Sequence, residues 1–63
     1  MTTEQIKERI TYITAKGYIS PEENKDFWEC WKELYGKEYY GNKNCQECIR
    51  DSYRKMIIDL TNK

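Results

Sequence analysis

The sequence contains no histidine, and this absence removes the side chain that most often acts as a general base. It also removes the imidazole that commonly shares a zinc ion with cysteine. Only Ser20 and Ser52 offer a serine hydroxyl, and neither has a histidine partner. The three glycines lie apart and do not form a phosphate-binding loop. We therefore expect a protein that is not an enzyme and that carries no cofactor.

Neither an excess of one charge nor a long apolar run is present. Lys and Arg number 11, Asp and Glu also number 11, and the two signs are mixed along the chain with no block of one sign. Because duplex nucleic acid is bound largely through its phosphates, a neutral chain is a poor candidate for a DNA-binding protein. No segment is long and apolar enough for a membrane span, and the start MTTEQIKERI lacks the apolar centre of a signal peptide. We expect a cytoplasmic protein without membrane contact and, with an odd number of cysteines, free thiols.

Three segments have the periodicity of helices, at about residues 3–16, 21–35 and 45–61. In the first segment Ile6, Ile10 and Ile13 fall on one narrow apolar stripe. No segment shows the alternation of a strand, and no repeat is present. The sequence therefore predicts one domain over residues 1–63, an all-α fold built as a small three-helix bundle.

Each predicted helix begins with two residues at the spacing of a capping box. In this motif, each of two side chains three residues apart accepts a hydrogen bond from the backbone N–H of the other residue. The pairs are Thr2 with Gln5, Ser20 with Glu23, and Asn44 with Glu47. Pro21 suits the first position of the second helix, and Gly17 and Gly36 suit the ends of the first and second helices.

Five residues of the first connection are Gly17, Ile19, Ser20, Glu22 and Glu23. They resemble the helical hairpin of SHOCT-type short bacterial domains, in which a glycine ends one helix and a stretch ending in two glutamates begins the next. The resemblance covers about a third of the chain. It implies a helical hairpin and no particular function.

The later stretch LYGKEYYGNKNCQECIRD is similar to short proteins of phages and of Bacteroidetes mobile elements. These share an aromatic helix, a glycine turn and a helix with a C-x-x-C pair. The similarity implies an accessory, phage-type origin and a location in the host-cell cytoplasm. It supplies no catalytic residue.

The three cysteines admit three interpretations. Cys45 and Cys48 fall on the apolar face of the third segment, and Cys30 on that of the second, so all three are expected to be small buried or half-buried thiols packed as apolar groups, and no metal site is predicted. If zinc were bound, Cys30, Cys45 and Cys48 would be its ligands and a fourth would be missing. Thiol redox chemistry is the third interpretation, with Cys45 the more reactive thiol because it lies near a helix N-terminus.

Aromatic side chains are abundant in the second helix. Trp28 and Tyr35 form a ridge beside its apolar centre. The other two helices could cover this ridge, or it could face a partner subunit or ligand. Ile58 projects from the opposite side of the third helix, which favours self-association into a dimer or a higher oligomer.

The loop GKEYYGNKN offers aromatic rings and cations beside the start of the third helix. Tyr39 or Tyr40 could stack on a base, and Lys37, Lys43 and Arg50 could meet phosphate. Alternatively, the tyrosines cover the core and the lysines are solvated.

Two functions follow from these features. The first is a helical interaction protein, oligomeric and phage-type, that binds a protein partner through Trp28, Tyr35, Tyr39, Tyr40 and Ile58. The second is a nucleotide-sequestering protein with sites between subunits, built from the loop tyrosines and cations. A zinc-bound or nucleic-acid-contacting module is a third alternative.

Overall fold

The computed structural model describes residues 2–62 and contains three helices. They are α1 (Thr3–Ala15), α2 (Pro21–Tyr35) and α3 (Gln46–Thr61). The backbone of α1 approaches both other helices closely, whereas α2 and α3 lie farther apart. The predicted all-α three-helix bundle is confirmed. Within residues 2–62, no helix has the length and apolar character needed to cross a bilayer.

Both predicted capping boxes at α1 and α2 form. The Thr2 hydroxyl accepts a hydrogen bond from the backbone N–H of Gln5 at 3.2 Å, and the Gln5 side chain accepts one from Thr2 N–H at 2.9 Å. Ser20 and Glu23 make the same reciprocal pair at 3.2 and 3.1 Å. Gly36 follows α2 with a φ of 76°, a left-handed conformation that other residues adopt at a cost.

The start of α3 differs from the prediction. The N-cap is Cys45, whose sulfur accepts a hydrogen bond from Cys48 N–H at 3.2 Å, so the prediction of Asn44 as the cap is wrong. The amide of Asn44 is used elsewhere, because its oxygen accepts a bond from the Asn24 side chain at 3.3 Å. The Asn44 backbone N–H donates to the side chain of Asn42 at 2.9 Å, which holds this residue in the loop.

The core lies along α1 and receives large side chains from α2 and smaller ones from α3. Its fully buried centre consists of Ile10, Phe27, Cys30 and Met56. The remaining buried apolar residues are Ile6, Ile13, Trp28, Trp31, Ile49 and Leu60. Aromatic rings thus supply much of the buried surface, as the shortage of aliphatic residues requires in so short a chain.

Candidate functional site

Trp28 does not lie on an exposed ridge. Only 5% of its surface is exposed, so the interpretation in which this ring faces a partner is wrong. The Tyr39 ring stacks on it, with centroids 4.2 Å apart and planes at 20°. Its indole N–H donates to the carbonyl oxygen of Lys43 at 3.0 Å. These two contacts come from the loop between α2 and α3.

Tyr39 is wedged between α2 and α3. Besides Trp28, its ring meets the edge of Trp31 at 5.1 Å, and Cys48 and Ser52 on α3 lie close enough to its phenol to affect its pKa. Burial, followed by the Cys48 contact, raises the pKa of the Tyr39 phenol. Its ring is therefore already stacked inside the protein. For Tyr39 this agrees with the alternative in which the loop tyrosines cover the core.

The other loop residues predicted to bind a nucleotide do not come together. Tyr40 is 88% exposed and tilts against Tyr39, and Lys37 is also exposed. Lys43 lies 3.9 Å from a carboxylate oxygen of Glu38 and lines a cleft beside α2. Arg50 lines a different cleft, between α1 and α3. The loop and Arg50 thus present no shared phosphate site.

Tyr35 ties α2 to α3. It is half-buried, and its hydroxyl donates a hydrogen bond to a carboxylate oxygen of Asp59. Burial first, and then Asp59, raise the pKa of this phenol well above its ordinary value. The ring also packs against Trp31 at 4.4 Å. Tyr35, predicted to contact a partner, has a structural role within this chain.

Ile58 is 58% exposed on the outer face of α3, as the sequence predicts. Tyr12 and Tyr18 are exposed as well, at 59% and 69%, and were not expected as surface candidates. Tyr12 lies on the side of α1 opposite the apolar stripe, so the helical periodicity of the sequence predicts that it is exposed. The exposed apolar groups are scattered, which is normal for single side chains on a protein surface.

The three cysteines are not gathered around one point. Cys30 is completely buried in α2, whereas Cys45 and Cys48 are half-buried at the start of α3. Cys45 and Cys48 are thus half-buried and not enclosed in the core, and Cys45 is the N-cap that precedes α3. Within the described part of the chain, residues 2–62, no three Cys, His, Asp or Glu side chains are placed to hold a metal ion.

A cleft of about 440 Å³ opens between the second half of α1 and the first half of α3. Ile19 and Ile49 belong to its apolar part, and Arg50 and Arg54 extend from α3 at its edge. The full lining is Thr11, Thr14, Ala15, Gly17, Ile19, Gln46, Ile49, Arg50, Tyr53 and Arg54. It contains two cations and no carboxylate, although charges of both signs are equal over the whole sequence.

The two arginines of this cleft are free of internal partners. Among residues 2–62, neither Arg50 nor Arg54 makes an ion pair, and both side chains are exposed. By contrast, the cleft between α1 and α2 is lined by carboxylates, and its Arg9 lies 3.4 Å from Asp26. Sequence reasoning identified Arg50 but missed Arg54, although their spacing of four residues places both on one helical face.

Comparison with known proteins gives no family assignment. A scan against protein-family models, a search of curated proteins and a search of solved structures each found no match. Function is therefore inferred from the residues of the cleft and from the contacts around them.

Proposed function

We propose that this protein is a small, non-enzymatic binding module whose cleft between α1 and α3 takes a short acidic segment of a protein partner. One observation carries the proposal: two arginines without an ion-pair partner among residues 2–62 line a cleft that has no carboxylate in its lining. A charge that is not satisfied within the chain is available for a charge of the opposite sign on a partner.

The chemistry of the cleft specifies the partner segment. Each guanidinium group presents a planar fork of N–H donors that matches the two oxygens of a carboxylate. Arg50 and Arg54 lie four residues apart, about one helical turn, so they suit two carboxylates separated by a similar distance. Ile19 and Ile49 offer apolar surface between the arginines and α1. The segment that fits has acidic residues next to an apolar side chain.

The size of the cleft favours a short segment over a broad, flat interface. A volume of about 440 Å³ lies within the range of pockets that bury a few side chains. Such a small contact is typical of a weak or transient interaction. The resemblance to phage and mobile-element proteins supports the idea of an accessory role, in which such a module docks on a protein of the host cell.

The test is selection from a random peptide library displayed on cells, using the purified protein as bait. We expect enrichment of peptides that combine Asp or Glu with an apolar residue. Binding of these peptides should be lost in Arg50→Glu/Arg54→Glu. The matched control is Lys25→Glu/Lys32→Glu, which makes the same change in net charge on the exposed side of α2 and should leave binding intact.

Three outcomes would overturn the proposal. One is the absence of any enriched acidic peptide. Another is equal loss of binding in both double variants, which would indicate a general charge effect. The third is that inorganic phosphate or a nucleoside triphosphate binds in the Arg50–Arg54 cleft while no peptide does, which would favour the nucleotide-sequestering alternative.

We also propose that the chain self-associates through Ile58. Arg50, Arg54 and Ile58 follow one another at four-residue intervals along α3. Ile58 lies outside the lining of the cleft, so this contact is proposed separately from the binding of an acidic segment. The exposed fraction of Ile58, 58%, is the observation that supports this contact.

A further inference from the structure

We propose that Cys45 and Cys48 form a redox-active dithiol, which closes into an intramolecular disulfide by exchange with a low-molecular-weight disulfide such as glutathione disulfide. The pair does not line the α1–α3 cleft, so this proposal is independent of the binding function. The proposal assigns a role to the C-x-x-C motif, which takes no part in the proposed binding function.

The position of Cys45 favours a reactive thiolate. It is the N-cap of α3, and its sulfur accepts a hydrogen bond from Cys48 N–H at 3.2 Å. The free N–H groups of a helix N-terminus stabilise negative charge at such a point. The Cys48 thiol, then the N–H groups of Cys48 and Glu47, lower the pKa of Cys45. The side chain is half-buried, which leaves its sulfur within reach of a small molecule.

The position of Cys48 favours a resolving thiol. Its backbone N–H donates to the Cys45 sulfur at 3.2 Å, which holds the two residues together at the start of α3. The Cys45 side chain raises the pKa of the Cys48 thiol, and Cys48 lowers that of Cys45, so Cys45 is the first of the two to lose its proton as pH rises. Two adjacent sulfurs with this division of roles are what thiol–disulfide exchange requires.

The exchange proceeds in two balanced steps. The Cys45 thiolate attacks one sulfur of glutathione disulfide, a new S–S bond joins Cys45 to glutathione, and one glutathione thiolate leaves. Cys48 then gives its proton to solvent and attacks the Cys45 sulfur, which releases the second glutathione thiolate. The protein loses two electrons and two protons, and the glutathione disulfide is reduced to two thiols.

Oxidation of the Cys45–Cys48 dithiol is expected to change the surroundings of Trp28 through Tyr39. Cys48 lies close enough to the Tyr39 phenol to affect its pKa, and the Tyr39 ring stacks on Trp28. Closing the disulfide consumes the Cys48 thiol and changes the surroundings of the Tyr39 phenol. A change in tryptophan fluorescence should therefore accompany the reaction.

Cys30 provides an internal control. It is completely buried in α2, and burial raises the pKa of its thiol. A disulfide that involved Cys30 would need the core to open. Cys30→Ser is therefore expected to leave the exchange unchanged, provided that circular dichroism shows the same helical content as in the wild-type chain.

The experiment uses the full chain, reduced and then equilibrated with mixtures of reduced glutathione and glutathione disulfide. After an acid quench, the protein is denatured, alkylated with N-ethylmaleimide and weighed intact. We expect a monomer that is lighter by about 2 Da before alkylation and that takes up a single maleimide, on Cys30. Peptide mapping should place the disulfide between Cys45 and Cys48, and brief alkylation of the reduced native protein should label Cys45 several-fold faster than Cys48.

The variants separate the two roles. Cys48→Ser should accumulate a stable mixed disulfide with glutathione on Cys45, whereas Cys45→Ser should react several-fold more slowly. The proposal is overturned if the wild-type chain forms no intramolecular disulfide in excess glutathione disulfide, or forms only disulfide-linked dimers. Equal labelling of Cys45 and Cys48 in the native wild-type chain would also overturn it, and this measurement needs no substitution.

Discussion

Tyr39 belongs to the loop that joins α2 to α3, yet its ring contacts both helices. It stacks on Trp28 at 4.2 Å and meets Trp31 edge-on at 5.1 Å, and Cys48 and Ser52 lie close enough to its phenol to affect its pKa. Aromatic pairs of this geometry stabilise a fold by about 0.5–1.5 kcal/mol beyond the area that they bury. Tyr40, the next residue, is 88% exposed. The two neighbouring tyrosines therefore have different roles.

Tyr39→Ala should lower the free energy of unfolding by about 2–3 kcal/mol, because it removes a half-buried ring from between two helices. Tyr40→Ala is the matched control and should cost less than about 1 kcal/mol. Urea titration followed by circular dichroism measures both. Similar losses in the two variants would contradict the structural role assigned to Tyr39.

Gly41 allows this packing, because a methyl group at its Cα would lie 2.8 Å from Cε2 of Tyr39. Gly41→Ala should therefore destabilise the wild-type chain by about 1–3 kcal/mol, the usual cost of overpacking. The same substitution in a Tyr39→Ala background should cost much less, since the ring is gone. Additive losses in this double-mutant cycle, measured by urea titration, would show that the two residues do not interact.

The start of α3 shows how far helix N-caps can be predicted from the sequence. The pairs Thr2–Gln5 and Ser20–Glu23 have the spacing of capping boxes, and both form. Asn44 and Glu47 have the same spacing, but the Asn44 side chain accepts a hydrogen bond from Asn24 on α2. A capping preference is local, whereas this competing bond spans twenty residues, so it could not be predicted from the motif.

A sulfur atom is a weak acceptor, and cysteine is not among the preferred N-cap residues. Cys45→Ser should therefore stabilise α3 and raise the free energy of unfolding by about 0.5–1 kcal/mol. Asn44→Ala should lower it by less than about 1 kcal/mol, the net value of one exposed hydrogen bond. Thermal unfolding of the two variants shows which residue is the cap. If Asn44→Ala lowered the free energy of unfolding by more than about 1 kcal/mol and Cys45→Ser did not raise it, Asn44 would be the cap and not Cys45.

The arrangement of the bundle depends on side chains that no helical period specifies. Because α2 and α3 approach each other less closely than either approaches α1, the space between them is filled by Trp31, Tyr35 and Tyr39. Periodicity predicts the apolar stripes of the three helices and thus the fold class. It cannot predict that a loop residue covers Trp28, or that Arg50 and Arg54 line a cleft with no carboxylate in its lining, since both depend on how the helices and the loop pack.

Alkaline pH should unfold this protein, because burial of ionisable groups favours their neutral forms in the folded state. Burial and Asp59 raise the pKa of Tyr35 above its ordinary value of 10.0, and burial raises that of Cys30 above 9.0. The contribution of these groups to stability is fully present below the pKa values that they have in the unfolded chain. It is lost as pH rises above those values. Stability should therefore stay level to about pH 9 and fall above it.

Tyr35→Phe tests the tyrosine contribution to this alkaline loss. At neutral pH it should cost about 1 kcal/mol, since a buried hydrogen bond is lost. Above pH 10, where the wild-type phenol is expected to destabilise the fold, the variant should lose stability less steeply. Tyr12→Phe, at an exposed position, is the control. Parallel stability curves for the wild-type and Tyr35→Phe chains between pH 8 and 11 would contradict the role of the phenol.

Self-association through Ile58 should appear in sedimentation velocity as a rise in mean mass with protein concentration. Ile58→Glu should remain monomeric over the same range, because a charge cannot be buried against an apolar partner without cost. Tyr18→Glu changes another exposed residue, which lies outside α3, and serves as the control. A wild-type chain that stays monomeric at millimolar concentration would contradict this contact.

The most direct measurement of the binding proposal is a two-dimensional ¹H–¹⁵N NMR titration of the labelled protein with the strongest acidic peptide from the display selection. The account predicts the largest shifts at Thr11, Ile49, Arg50 and Arg54, the residues that line the α1–α3 cleft. The Arg50→Glu/Arg54→Glu variant should show none of these shifts. Shifts concentrated instead at Tyr39 and Tyr40, or along the α1–α2 side at Glu8 and Asp26, would contradict the central claim.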